Sequence, residues 1–145
     1  MSLTAKKLAS EIKVTQYDFD PNSTSATAVG WVAMKDFGKL MVSFFRTIGT
    51  STVTLAIKAA TDSSGTNATT VVSKTISDQP DAVGDYIFLE CIASQIAQIG
   101  TDNSLALTHA SAYVSFATAT DEGVVTYIQG SPSFAYDGLT ADYVS

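Results

Sequence analysis

Hydrophobic and polar residues alternate along most of this chain with a period of two, the spacing of a strand that buries one face and wets the other. The clearest case is STVTLAIKAAT, where Val53, Leu55, Ile57 and Ala59 share one face and Thr52, Thr54, Ala56 and Lys58 the other. Strand-like runs begin after Lys13 with VTQYDF and resume in AVGWVAM, beyond the polar stretch DPNSTSAT and its break at Pro21 and Asn22. KLMVSFFRTI is different, being apolar on nearly both faces, the pattern of a central strand covered on both sides. Gly49 to Ser51 then form a tight turn into the next run, which predicts a hairpin.

Further on, DSSGTNATT reads as a loop, VVSKTI as a short strand, ISDQPDAVGD as a second loop and DYIFLECI as a strand. ASQIAQIG follows with Ile92, Ile96 and Ile99 at helical spacing and Gly100 at the position of a C-terminal cap, which predicts a short helix. The β-rich runs THASAYVSFATAT and GVVTYIQGSPSFAY are separated by Asp121, Glu122 and Gly123, a turn that predicts another hairpin. The tail DGLTADYVS is polar and reads as extended. Ahead of all this, Leu8 and Ile12 stand four apart with Ala5 and Ala9 beside them, behind Ser2 or Thr4 as N-caps. That stretch is a short amphipathic helix or a flexible arm, and two or three apolar residues hold such a helix only when it docks on something. The division expected is an arm or helix over residues 1–13 and one domain over 14–145. Roughly seven or eight strands with turns about every ten residues make the fold class mainly β, an antiparallel sandwich or barrel.

Composition narrows the function. In 145 residues only 15% are charged, against roughly 25% in an ordinary domain, while 46% are hydrophobic, so Ser and Thr carry the polarity. No apolar run approaches the ~18 residues of a spanning helix, and no membrane partner is expected. The net charge of −6 with scattered Lys and Arg argues against nucleic acid as a partner, which calls for a clustered basic face. MSLTAKKLASEIKV has no apolar stretch of the kind that follows the basic residues of a secretory signal, so synthesis in the cytoplasm is expected.

Candidate chemistry is sparse. The single histidine, His109, opens a strand with no cysteine or carboxylate at ligand spacing, and no G-x-S-x-G elbow presents a nucleophile. Cys91 is alone, so neither an internal disulfide nor a cysteine-rich zinc site is available to it, and its apolar neighbours mark it as a buried small hydrophobe. The carboxylate pairs Asp18 and Asp20, Asp78 and Asp81, and Asp121 and Glu122 fall at turns or strand ends, where acidic side chains accept backbone hydrogen bonds and stay solvated. TDSSGTN lacks the lysine of a phosphate loop and the spacing of an EF-hand. The expectation is no enzyme, no cofactor and no metal. With charge so sparse, some apolar surface is expected to be covered in a homo-oligomer. A row of exposed aromatics would instead suit a carbohydrate platform.

Three segments, VSFFRTIGTSTVTLAIKAATDSSGTN, DYIFLECIASQIAQ and YVSFATATDEGVVTYIQGSPSFAYDGLTAD, resemble small virion structural proteins of tailed bacteriophages, above all the β-rich capsid decoration (cement) proteins. The resemblance spans roughly residues 30–142 and lies in the order of folding units, not in a catalytic signature. It implies a jelly-roll-like sandwich that assembles as a trimer, or sits at a capsid pseudo-threefold, on the outer capsid surface and clamps neighbouring subunits of the major capsid protein. The N-terminal arm would reach across the seam, with Leu3, Leu8 and Ile12 as its contacts. A tail or head-tail connector component and a carbohydrate-binding virion module are the competing readings.

Overall fold

The computed structural model describes residues 12–76 and 83–132, and over these the alternating segments pair into two antiparallel sheets. The elements run β1 (Lys13–Phe19), β2 (Thr27–Ala28), β3 (Val32–Ala33), β4 (Phe37–Ile48), β5 (Val53–Ala60), β6 (Thr69–Ile76), β7 (Tyr86–Ile92), α1 (Ala93–Asp102), β8 (His109–Phe116) and β9 (Glu122–Pro132). One sheet has the order β1-β9-β4-β7; the other has β2-β8-β5-β6, with β3 also paired to β8. Since β2 and β3 fill one strand position between them, the body is two four-position sheets. Successive strands pass from one sheet to the other everywhere except between β2 and β3 and between β5 and β6. This is the nested Greek-key winding of a jelly-roll sandwich, as the sequence resemblance implies.

Two connections differ from the sequence expectation. Gly49 to Ser51 and Asp121 to Gly123 do not close hairpins; β4 and β5 lie in opposite sheets, as do β8 and β9. The reason is where the apolar faces go. Leu40, Val42 and Phe44 of β4 face Val53, Leu55 and Ile57 of β5 across the core, all fully buried. A hairpin would set the two runs side by side on one face and leave that face uncovered. Val125 and Tyr127 of β9 and Ala110, Ala112, Val114 and Phe116 of β8 complete the interior. The hydrophobes of VTLAIKAA and HASAYVSF thus fill a single layer between the sheets.

The predicted helix is present and docks Ile96 into the core at one end of the sandwich. It continues past Gly100 to Asp102, with Asn103 as the C-cap, so the glycine is not a terminator. Its role is clearance: a Cβ at position 100 would stand 2.6 Å from the Leu105 carbonyl oxygen. That approach lets the Leu105 amide donate to the Gly100 carbonyl at 2.8 Å and turns the chain toward β8. At the other helix end the Ile92 amide donates to Gln95 Oε1 at 2.9 Å, satisfying the backbone where β7 becomes α1.

Candidate binding surface

Buried polar groups in this fold act as struts between the sheets. At one end of the sandwich, where the β4–β5 and β8–β9 crossings meet, Arg46 Nη1 donates to Asp121 Oδ2 at 2.7 Å, with the two side chains 0% and 4% exposed. Asp121 Oδ2 also accepts from the Ser51 amide at 3.0 Å and the Ser51 hydroxyl at 2.5 Å, and Arg46 Nη2 donates to the Ser51 carbonyl. Burial by itself would raise the Asp121 pKa, but the hydrogen bonds from Ser51 and Arg46 outweigh it and hold the carboxyl below its usual value. Gly49 is required beside it, because its φ is +92° and a Cβ there would come within 2.0 Å of Asp121 Oδ1. A carboxylate pair that the sequence places in a solvated turn is therefore divided. Asp121 is buried in an ion pair, and Glu122 begins β9 half-buried.

A second strut closes the gap between β2 and β3. There the Tyr127 hydroxyl reaches across the core from β9, accepts from the Ala112 amide at 2.7 Å and donates to the Gly30 carbonyl at 2.7 Å. Burial pushes its pKa up to about 12, outweighing the hydrogen bonds with Ser111, Ala112 and Gly30, which act to lower it. Gln129, two residues on, donates to the Ala33 carbonyl at 2.7 Å. The Tyr127 hydroxyl and the Gln129 amide nitrogen are thus committed to holding backbone, while Gln129 Oε1 is buried without a hydrogen-bond partner among the described residues.

The other chemical candidates stand apart from one another. Asp18 and Asp20 are exposed at the end of β1, and Asp78 and Asp81 lie outside the described residues. His109 is half-buried with Nδ1 2.8 Å from the Thr108 hydroxyl. In the TDSSGTN loop Asp62 accepts from the amides of Ser64 at 2.8 Å and Thr66 at 3.1 Å, and these bonds, those from Thr66 foremost, lower its pKa. Cys91 is buried, and burial pushes its thiol pKa up to about 11. Among the described residues no three His, Cys, Asp or Glu side chains come together as a metal site. Of the expected arm contacts, Leu3 and Leu8 lie outside the described residues; Ile12 immediately precedes β1 and is half-buried.

What the fold does gather is surface. The strand register sets three outward rows across the β1-β9-β4-β7 sheet: Val14, Ile128, Met41 and Glu90; then Gln16, Thr126, Ser43 and Phe88; then Asp18, Val124, Phe45 and Tyr86. Lys39 and Ile92 extend the face beyond Met41 and Glu90. Tyr86 is 62% exposed, Phe88 55%, Val14 55%, and Phe45 and Ile92 42% each. The opposite sheet shows a different outside. There Thr54 and Thr75 share a hydrogen bond at 3.0 Å, and Lys58 Nζ sits 4.3 Å from the Tyr113 ring centroid. One sheet is finished for water and the other is not.

The apolar face has relief as well as composition. Phe45 and Tyr86 are exposed side by side at one end. Toward the other end lies a surface hollow of about 290 Å³ lined by Lys39, Met41, Glu90, Ile92, Ile128 and Gly130, along with the backbone of Leu40 and Cys91 between them. Gly130 opens it, since the outward position beside Lys39 has no side chain. The alternation of Tyr86 and Phe88 with Ile87 and Leu89 was the sequence signal for this surface, because DYIFLECI is apolar on both faces and only one of them points into the core.

No family model matches the sequence, and no curated protein does. Likeness appears in solved structures instead. A chain from Bacillus endospore appendages, described as a novel family of disulfide-linked pili, is 11% identical with a TM-score of 0.51, covering 90% of this chain and 96% of that one. A chain of deformed wing virus, a honeybee pathogen, is 8% identical with a TM-score of 0.50 over 94% of this chain, which spans about half (52%) of the viral one. The SPBc2 prophage-derived protein YomS is 11% identical with a TM-score of 0.44, over 82% of this chain and 95% of that one. At these identities the first two establish a shared fold: this chain is a β-sandwich of the kind found in a virus particle and in a pilus.

Proposed function

We propose that this protein is a non-enzymatic structural subunit of a virus particle, a cement protein that binds the outer surface of a tailed-phage head as a homo-oligomer. Its partner on this reading is the major capsid protein. The observation that carries it is the unfinished outer face of the β1-β9-β4-β7 sheet, where Phe45, Tyr86, Phe88 and Val14 are at least 42% exposed on a single surface. An apolar area of this extent is the mark of a surface that protein covers in the assembled state. The fold shared with a deformed wing virus chain and an endospore pilus chain supports an assembly role, since both come from multi-subunit structures. The segments that carry the resemblance to decoration proteins supply the head location.

Cement works by mass action. Each copy binds the assembled lattice and not the free subunits, so the shell gains stability in proportion to occupancy over many equivalent sites. Catalysis has no part in this, and the inward-directed Asp121, Tyr127 and Gln129 suit a body built for rigidity. The test is to add purified protein to phage heads that lack it and locate added density by cryo-electron microscopy. Ordered copies on the outer shell with raised heat resistance are expected. Density confined to the portal vertex or the tail would overturn the cement reading in favour of a connector or tube component.

A further inference from the structure

We infer that the apolar face of the β1-β9-β4-β7 sheet is covered by the same face of a second copy of this chain, in a two-fold pair. The pair can form whether or not the protein is a virion subunit; where both readings hold, this face makes the homo-oligomer contact of the proposed subunit and its contact with the capsid lies on another surface. Three features of the face point to a copy of itself as occupant.

First, the size fits. The face is four strands wide, and its outer strands β1 and β7 are seven residues long. At the usual strand spacing and rise that is roughly 19 by 24 Å. The inner strands β4 and β9, of 12 and 11 residues, run further and bring the flat area to roughly 600 Å², about three quarters of the ~800 Å² per partner that a standard interface buries, before side-chain relief is added. Two such faces stack about 10 Å apart, as the two sheets inside the sandwich do.

Second, the relief is self-complementary. A two-fold axis lying in the interface and running across the strands, along the row of Thr126, Ser43 and Phe88, reverses the strand direction of the partner. It carries the exposed Phe45 and Tyr86 of one copy onto Met41 and Glu90 in the other, two of the residues that line the hollow, and sets Glu122 over Gly130 beside Lys39. The operation is reciprocal, so both hollows fill at once, which is what an isologous interface requires. On the axis Phe88 meets Phe88 and Ser43 meets Ser43. Third, the charge pattern permits the contact. Lys39 and Glu90 both line the hollow and are opposite in sign, and Asp18, an outward residue of edge strand β1, falls over Val14 of the second copy, so stacking the faces sets no block of like charge against itself. The symmetry differs from the trimer that the sequence resemblance implies.

The measurement is sedimentation equilibrium of the full chain over a range of concentrations. The expected mass is twice the 15.2 kDa of one chain. Phe88→Lys removes the aromatic contact on the axis and sets two like charges there; it should weaken the pair at least about thirty-fold, the effect of losing a hot-spot residue. Phe88 is exposed, so the variant's far-UV circular dichroism and melting should match those of a dissociated wild-type chain. Because the Cys91 thiol is buried, Ser43→Cys supplies the reactive thiol for a short bismaleimide, which should join two copies, whereas Gln98→Cys on the exposed side of α1 should not be joined.

A wild-type mass of one chain overturns the inference, as does a pair that survives Phe88→Lys. A one-chain mass that doubles on deletion of residues 1–11 or 133–145 would assign the face to the chain's own ends. A mass of three chains that Phe88→Lys leaves unchanged would place the oligomer contact elsewhere.

Discussion

Replacing Asp121 by alanine tests whether one buried ion pair locks two sheet crossings at once. Its Oδ2 accepts from Arg46 Nη1 at 2.7 Å, from the Ser51 amide at 3.0 Å and from the Ser51 hydroxyl at 2.5 Å. Asp121→Ala removes all three acceptor contacts and takes the carboxylate away from a guanidinium that is itself 0% exposed. Breaking a buried pair from one side costs about 3–5 kcal/mol, against a total stability of about 5–15 kcal/mol for a domain of this kind. Urea unfolding at pH 7 reads the loss directly as a fall in midpoint at constant m. A loss under about 1 kcal/mol with m unchanged would refute the role given to the pair. The double variant Arg46→Met/Asp121→Val should lose less than Asp121→Ala alone, because both members of the pair are then replaced by apolar groups. Acid gives a second check. Since the folded pKa of Asp121 is lowered, the stabilisation is complete above the unfolded carboxylate value of about 4 and disappears as pH falls through the lower folded value. The gap between the wild type and Asp121→Asn should therefore close in acid, and a gap that widened there would count against the reasoning.

The other predictions concern the core and the turn beside it. Tyr127→Phe deprives the buried Ala112 amide and the half-buried Gly30 carbonyl of their shared hydroxyl, and at about 1–3 kcal/mol for each group the loss should be about 2–6 kcal/mol in the same urea assay. Gly49→Ala places a methyl group on Asp121 at a backbone φ of +92°, and a melting curve should show a loss of at least about 2 kcal/mol. Cys91, with its pKa pushed up to about 11, is roughly one part in a thousand thiolate at pH 8; alkylation should be negligible in the native protein and rapid in urea.

How much of this could be read from the residues depends on which force decides each feature. Strand existence and facing were legible because burial of Val53, Leu55, Ile57 and Ala59 acts on every second residue and writes a period into the sequence. Cys91 was legible for the same reason, standing between apolar neighbours on an inward phase. Connectivity was not. The turns at Gly49 and Asp121 have the composition of hairpin turns, and the choice between a hairpin and a crossing is made by faces that meet across the core, not by the turn itself. Asp121 itself was misread because its partner Arg46 lies 75 residues away in sequence, and nothing local marks the pairing.

The run KLMVSFFRTI holds both outcomes in one segment. Apolar on nearly both faces, it called for cover on two sides, and β4 does sit in the interior of its sheet between β9 and β7. The sandwich covers one side completely: Leu40, Val42 and Phe44 are each 0% exposed. On the other side Met41 and Ser43 are half-buried by their strand neighbours, and Phe45 is left 42% exposed. A strand patterned for two covers in a body that supplies one is what the pairing of faces inferred above would complete. The same reading applies to Tyr86, Phe88 and Ile92 on β7, whose inward residues Ile87, Leu89 and Cys91 already satisfy the core. Selection for folding alone would have made those outward positions small or polar, as Thr54, Ala56 and Lys58 are on β5 and Thr70, Ser73 and Thr75 are on β6. On the inferred pairing, the residues that depart from the one-sided pattern are the ones that meet the second copy.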